Sequence, residues 1–126
     1  MKHSKKILLV EDEKNIILGV KTCLEVANYK VIVVEDGEKA LQSAENDQPD
    51  LILLDLMLPK IDGFEVCQTL KTKEETKHIP IVVLTAKTGE EDRQKALEAG
   101  ADSYMTKPFR PEELWHEVNK YVHQGA

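Results

Sequence analysis

Long apolar runs and an excess of basic residues are both missing from this sequence of 126 residues. No apolar run approaches the roughly 18 residues that a membrane span needs. The apolar run at 6–10, after the basic start, is too short for a signal peptide. The net charge is −6, whereas direct nucleic-acid binding favours a basic surface. These absences predict a cytoplasmic protein without a membrane anchor and without direct contact to nucleic acid.

Cysteine and histidine patterns typical of metal sites are missing as well. The two cysteines, Cys23 and Cys67, lie far apart and match no zinc-ligand spacing. None of the four histidines pairs with a cysteine, or with another histidine at helical spacing. The sequence therefore predicts two reduced cysteines that pack as small apolar residues, and no zinc site.

The residues that are present form a regular alternation. At 41% hydrophobic and 32% charged, the composition is that of an ordinary globular protein. We expect one domain over 1–126, with its core at about 5–123. The first four of five short runs are unbroken rather than alternating, which is typical of strands buried on both faces. The five predicted strands are 6–10, 30–34, 50–54, 79–84 and 102–106.

Segments with helical periodicity separate these strands. Apolar residues that repeat on one face predict helices over 13–27 and 37–46. Capping boxes predict further helix starts at Asp62 and Thr88, and Pro111 predicts the start of a fifth helix. Five alternating β–α units imply an α/β fold with a parallel sheet and helices on both faces. The flavodoxin-like order 2-1-3-4-5 fits, although these residues alone do not determine it.

Polar residues lie where the predicted strands end, at the edge of the sheet where open α/β folds bind ligands. Clustered carboxylates raise one another's pKa unless a cation lies among them, and oxygen ligands without Cys or His favour Mg²⁺. A carboxylate, a hydroxyl and an ammonium around Mg²⁺ suit transfer of a phosphoryl group to the carboxylate. The residues at these strand ends are Glu11, Asp12, Asp55, Thr85, Ala86 and Lys107.

Four segments resemble the receiver domain of two-component response regulators: "LLVEDE", "LLDLMLPKIDG", "VVLTA" and "GADSYMTKPF". The resemblance covers nearly the whole chain and implies the flavodoxin-like (βα)5 sandwich with strand order 2-1-3-4-5. It implies that Asp55 accepts a phosphoryl group from a sensor histidine kinase or a histidine phosphotransfer protein. A downstream effector protein or domain would read the change. The chain would assist its own phosphorylation and slow dephosphorylation, without being a metabolic enzyme.

The same resemblance assigns the metal ligands. Mg²⁺ would be held by Glu11, Asp12, Asp55 and the backbone carbonyl of Met57. Glu11 departs from the family pattern, which often has Asp at this position. The extra methylene is tolerable if that carboxylate reaches the metal through a water molecule.

The resemblance also assigns the phosphoryl-binding and switching residues. Thr85, Ala86 and Lys107 would bind the phosphoryl group, and Thr85 and Tyr104 would switch on phosphorylation. The Lys107–Pro108 peptide bond would be cis. In the dimerising transcription-factor branch of the family, an arginine usually stands at the position of Glu117. We therefore expect a monomer, or a phosphorylation-dependent dimer that is weaker than in that branch or different from it.

The first predicted helix has an apolar residue away from its core face. At about 100° per residue, Leu18 points away from the face that carries the apolar residues. Together with Asn15, Gly19 and Thr22 it predicts a kinase-docking patch. A single exposed leucine without a function is the alternative.

Other interpretations of these residues exist. Asp55 alone could cap a turn, and Glu11 and Asp12 could be helix first-turn acids. A flavodoxin-like electron carrier needs a Ser-, Thr- or Gly-rich phosphate loop where this chain has Glu11 to Glu13. An aspartyl-phosphate phosphatase needs a second Asp where this chain has Met57. A receiver used only for docking would not need the complete site.

Overall fold

The chain folds as five consecutive β–α units. The computed structural model describes residues 5–58, 61–86 and 89–122. Its strands are β1 (Lys6–Val10), β2 (Lys30–Val34), β3 (Leu51–Asp55), β4 (Ile81–Thr85) and β5 (Ser103–Thr106). Its helices are α1 (Lys14–Val26), α2 (Gly37–Asp47), α3 (Gly63–Thr72), α4 (Glu90–Glu98) and α5 (Pro111–Val122). The predicted alternation is confirmed, with boundaries that differ by a few residues.

The five strands form one parallel sheet in the order β2-β1-β3-β4-β5. This is the flavodoxin-like order that the resemblance implied. Val10 of β1 is in register with Leu54, and Asp55 of β3 is in register with Leu84. The carboxyl ends of β1, β3 and β4 therefore lie side by side at one edge of the sheet.

Apolar side chains fill both spaces between the sheet and the helices. Leu8 and Val10 of β1 pack on the side of α2, α3 and α4, whereas Ile7 and Leu9 pack on the side of α1 and α5. All five residues of β3 are buried. Unbroken apolar strands are required here because both faces of a central parallel strand are covered.

Helix starts agree with the sequence in α3 and differ in α4. Oδ1 of Asp62 accepts a hydrogen bond from the Phe64 N–H at 3.0 Å, so the predicted cap of α3 is confirmed. Thr88 lies outside the described residues, and the capping position of α4 is Gly89. The prediction of Thr88 as the cap is therefore wrong. Gly89 makes no side-chain cap hydrogen bond. Three acidic residues in the first turn of α4 instead stabilise the start of the helix through the helix dipole: Glu90, Glu91 and Asp92.

Both cysteines are free thiols. Cys67 is a buried residue of α3 that faces the core, and burial raises its pKa to about 11. Cys23 is half-buried, and its pKa is also raised by burial. Within the described residues, no helix is long and apolar enough to cross a membrane.

Candidate functional site

Asp55 occupies the last position of β3 and is 4% exposed. Its Oδ1 accepts a hydrogen bond from the Met57 N–H at 3.2 Å and lies 3.5 Å from Nζ of Lys107. The contact to Met57 is the kind that a turn-capping aspartate makes. A cap, however, is ordinarily solvated, whereas this carboxylate is buried, and a buried ion needs compensation.

Two further carboxylates follow β1. Glu11 is 1% exposed, and its Oε2 accepts a hydrogen bond from the Glu13 N–H at 3.2 Å. Asp12 is exposed to solvent. Both residues precede Lys14, the first residue of α1, so the alternative that they lie in the first helical turn is wrong. They are placed instead at the edge of the sheet beside Asp55.

Glu11, Asp12 and Asp55 form a compact acidic cluster. Each offers one carboxylate oxygen, and these oxygens all lie within 4.8 Å of one another. Two of the three residues are buried, so solvent screens their repulsion poorly. Hard oxygen donors that carry excess negative charge are a set that fits Mg²⁺.

The buried and negatively charged environment shifts the pKa of Asp55. It is raised from 3.8 to about 6, chiefly because burial penalises the charged form and next because Glu11 is negative. The hydrogen bond from Met57 and the positive charge of Lys107 act in the opposite direction. The acidic cluster therefore carries an electrostatic cost that a bound cation would relieve.

Lys107 connects the end of β5 to the acidic cluster. Its Nζ lies 2.7 Å from Oε1 of Glu11, in addition to its contact with Asp55. Its backbone N–H donates a hydrogen bond to the Thr85 carbonyl at 2.8 Å, which holds the ends of β4 and β5 together. The peptide bond between Lys107 and Pro108 is cis, the isomer that the resemblance implied.

The other residues predicted for phosphoryl binding and switching lie around this centre. Thr85 is fully buried at the end of β4, and Ala86 after it is exposed. Met57 lies two residues beyond Asp55 with 60% exposure. Tyr104 is half-buried on β5, at the edge of the sheet, and packs against the core on the α2–α3–α4 side. The structure thus brings the strand-end residues to one edge, while the roles assigned to them stay predictions.

The residues predicted for kinase docking lie on the surface of α1. Asn15, Leu18, Gly19 and Thr22 are all exposed, Leu18 by 67%. Val20 and Leu24 face the core on the opposite side of the helix. The predicted exposure of Leu18 is confirmed, and docking there stays a prediction.

A cleft beside Asp12 and Met57 contains residues that the sequence did not single out for the site. Phe64 of α3 and Lys95 of α4 line it, with the Lys95 Nζ 4.4 Å from the centre of the Phe64 ring. This is cation–π geometry. No sequence spacing connects these two residues, because they belong to different helices and meet only in the folded chain.

Comparison with known proteins places this geometry in a family. A family model for the response regulator receiver domain matches residues 7–119. PhoP of Bacillus subtilis, an alkaline phosphatase synthesis transcriptional regulatory protein, is 51% identical over 111 residues, which are 88% of this chain and 45% of PhoP. RpaA of Synechocystis, a DNA-binding dual master transcriptional regulator, is 47% identical over 113 residues, which are 90% of this chain and 47% of RpaA. The chain spans less than half the length of these relatives.

Solved structures agree with the family assignment. A putative response regulator from Chloroflexus aurantiacus has a TM-score of 0.92 at 33% identity, over 97% of this chain and 100% of that chain. The receiver domain of the sensor histidine kinase PA1611 from Pseudomonas aeruginosa has a magnesium ion in its active site cleft. It has a TM-score of 0.89 at 34% identity, over 95% of this chain and 98% of that chain. The electron-carrier interpretation is not favoured, and this chain belongs to the family of response regulator receiver domains of two-component systems.

Proposed function

We propose that this chain receives a phosphoryl group on Asp55 from a phosphohistidine of a sensor histidine kinase or a histidine phosphotransfer protein. The observation that carries the proposal is the buried Asp55 carboxylate, which lies 3.5 Å from the Lys107 ammonium and within 4.8 Å of two further carboxylates. Membership of the receiver family supports the same assignment.

The chemistry follows from groups of this chain. An oxygen of Asp55 attacks phosphorus, the phosphorus–nitrogen bond to the donor histidine breaks, and its electron pair stays on the imidazole nitrogen. With a pKa of about 6, Asp55 is mostly ionised at neutral pH and can act as the nucleophile. Lys107 neutralises phosphoryl oxygens, Thr85 donates a hydrogen bond to one, and the small Ala86 leaves room for the group.

Mg²⁺ would be held by Glu11, Asp12, Asp55 and the carbonyl of Met57, since these oxygen donors gather where negative charge is in excess. When bound, the ion supplies positive charge to the phosphoryl oxygens. Glu11 has a second partner, because its Oε1 contacts the Lys107 ammonium at 2.7 Å. The carboxylate of Glu11 thus holds Lys107 beside Asp55.

Phosphorylation changes the surface that other proteins meet. Thr85 and Tyr104 respond to the new group, and an effector protein or domain reads the face around β5. The donor docks on α1 near Asn15, Leu18, Gly19 and Thr22. The chain turns over no metabolite, although it assists its own phosphorylation and slow dephosphorylation. Its cytoplasmic location, and its state as a monomer or phosphorylation-dependent dimer, belong to the same proposal.

Intact-mass measurement after incubation with acetyl phosphate tests the proposal. Wild type should gain the mass of one phosphoryl group when Mg²⁺ is present, and Asp55→Asn should not. Asp62→Asn is the matched control, because asparagine also caps a helix and position 62 lies outside the acidic cluster. Asp12→Ala should label more slowly than Glu13→Ala. Labelling of Asp55→Asn at the wild-type rate would contradict the proposal.

A further inference from the structure

The cleft beside Asp12 and Met57 is large enough for a small molecule. Its volume is about 560 Å³, within the range of about 300–1,000 Å³ that is usual for ligand pockets. Asp12 belongs to the acidic cluster, and the Met57 N–H donates to Oδ1 of Asp55. The cleft therefore opens beside the phosphoacceptor carboxylate, between the starts of α3 and α4 rather than beside α1.

Lys95 is the one cation among the described residues that line this cleft. Three aspartates line it as well: Asp12, Asp62 and Asp92. A phosphoryl donor carries negative charge, so these carboxylates repel it as it approaches Asp55. The ammonium of Lys95 offsets part of this repulsion at the place where a donor enters.

Phe64 keeps the Lys95 ammonium at the cleft. Lys95 is exposed on α4, and the flexible stem of an exposed lysine otherwise lets its charge move out into solvent. Here Nζ lies 4.4 Å from the centre of the half-buried Phe64 ring, which attracts the cation. The ring and the exposed side chain of Met57 also give the cleft an apolar surface next to its charges.

Resting on the proposed function, we propose that this cleft is an entrance for small anionic phosphoryl donors and that Lys95 draws them in. Acetyl phosphate, which is doubly negative at neutral pH, belongs to this class. Its phosphoryl group turns towards Asp55, and its methyl group lies against Phe64 and Met57. An oxygen of Asp55 bonds to phosphorus, the bond from phosphorus to the acetyl oxygen breaks, and its electron pair leaves with acetate.

Lys95→Met tests this inference, because it removes the charge and keeps the length and helix propensity of the side chain. Labelling by acetyl phosphate is followed by intact mass with Mg²⁺ at a saturating concentration. At low ionic strength Lys95→Met should label about threefold more slowly than wild type, because a dianion loses its attraction to one positive charge. The difference should disappear near 1 M salt, where the Debye length is about 3 Å. Lys95→Arg should keep the wild-type rate, because it keeps both the charge and the contact with the ring.

The affinity for Mg²⁺ separates an effect of charge from damage to the site. Loss of a positive charge near Asp12 should leave the calorimetric Mg²⁺ affinity of Lys95→Met equal to or above that of wild type, whereas a distorted site would bind Mg²⁺ more weakly. Lys39→Met is the matched control, since it removes an exposed lysine of α2 that lies outside the cleft. It should keep the wild-type labelling rate at every salt concentration.

Wild-type labelling of Lys95→Met at low ionic strength would overturn the inference. So would an equally slow Lys95→Arg or Lys39→Met, because the charge at the cleft would then not be the cause. A deficit of Lys95→Met that persists at high salt, or that accompanies weaker Mg²⁺ binding, would overturn it as well. Failure of acetyl phosphate to label wild type would instead remove the proposed function, and this inference with it.

Discussion

At the scale of single residues, Asp55 combines a poor position for a charge with a good position for a nucleophile. It ends an apolar strand, it is 4% exposed, and Glu11 lies close by. The positive charge of Lys107 offsets the negative charge of Asp55 only in part, since Lys107 lies closer to Glu11, at 2.7 Å, than to Asp55, at 3.5 Å. The site is therefore destabilising for the fold whenever Asp55 is ionised and no cation is bound.

Because the ionised form of Asp55 destabilises the fold, the free energy of unfolding of the metal-free protein should depend on pH. The pKa of Asp55 in the folded chain, about 6, lies above the ordinary value of 3.8. Its protonation thus adds stability that is fully present below pH 3.8 and is lost as the pH rises through 6. Asp55→Asn removes the ionised form. At pH 7.5 in EDTA it should be about 2 to 3 kcal/mol more stable than wild type, at about 1.4 kcal/mol per pKa unit.

Urea unfolding over a series of pH values measures this difference. The difference in the free energy of unfolding between wild type and Asp55→Asn should become steadily smaller as the pH falls from 7 towards 4. Asp62→Asn should show no such pH-dependent gap, because it keeps the helix cap and lies outside the acidic cluster. If the difference in the free energy of unfolding stayed constant across the pH series, ionisation of Asp55 would not be its cause.

At the scale of elements, the start of α3 is pressed against the end of β3. The Gly63 N–H donates to the Leu56 carbonyl at 3.3 Å, and a Cβ at Gly63 would lie 2.6 Å from the Cα of Leu56. Both contacts are with backbone, which cannot move aside as a flexible side chain can. This close approach orients the segment after Asp55, which carries the Met57 N–H and carbonyl.

Gly63→Ala should therefore be destabilising by about 1–3 kcal/mol, as an overpacked buried site is. Gly89→Ala is the control, because the nearest atom to a Cβ there is the Oδ2 of Asp92 at 3.5 Å, an ordinary contact. The unfolding midpoint in urea should drop for the first variant and change little for the second. Equal midpoints for the two variants would contradict the close approach.

At the scale of the whole molecule, the surface that includes α4 and α5 is rich in acidic residues. The first turn of α4 carries three of them, and α5 carries Glu112, Glu113 and Glu117. Glu117 already accepts a hydrogen bond from the Ser103 hydroxyl at 2.9 Å, and Asp102 is paired with Lys71 at 3.1 Å. Two copies that met through this face would bring like charges together, which opposes a symmetric dimer.

Sedimentation velocity with beryllium trifluoride as the phosphoryl mimic should therefore show a monomer or a weak dimer. Glu117→Arg should strengthen the dimer if α5 lies in its interface, since the change replaces repulsion by attraction. Glu117→Gln is the matched control that removes the negative charge without adding a positive one. A tight symmetric dimer of wild type with Asp102 and Glu117 at its centre would contradict this prediction.

Much of the fold was predictable from local patterns. Strands buried on both faces must be apolar throughout, so the runs that became β1, β3 and β4 are visible without a structure. The run that became β2 is equally apolar, but β2 lies at the edge of the sheet and is only partly buried, so the prediction that it is buried on both faces is wrong. Residues at the ends of parallel strands share one edge, which is why Glu11, Asp12, Asp55 and Lys107 could be grouped in advance. The cap of α4 was not predictable in this way. Thr88 and Gly89 are adjacent, and both residue types can precede a helix.

Sequence by itself determined the alternation of elements and the residues that end the strands, because burial and helical periodicity are local properties. Only the tertiary structure decided which side chains meet. Lys107 contacts Glu11 across 96 positions of sequence, and Lys95 reaches the ring of Phe64. The raised pKa of Asp55 also depends on packing, because burial and the neighbouring Glu11 cause it. Such properties come from neighbours in space, which no spacing along the chain specifies.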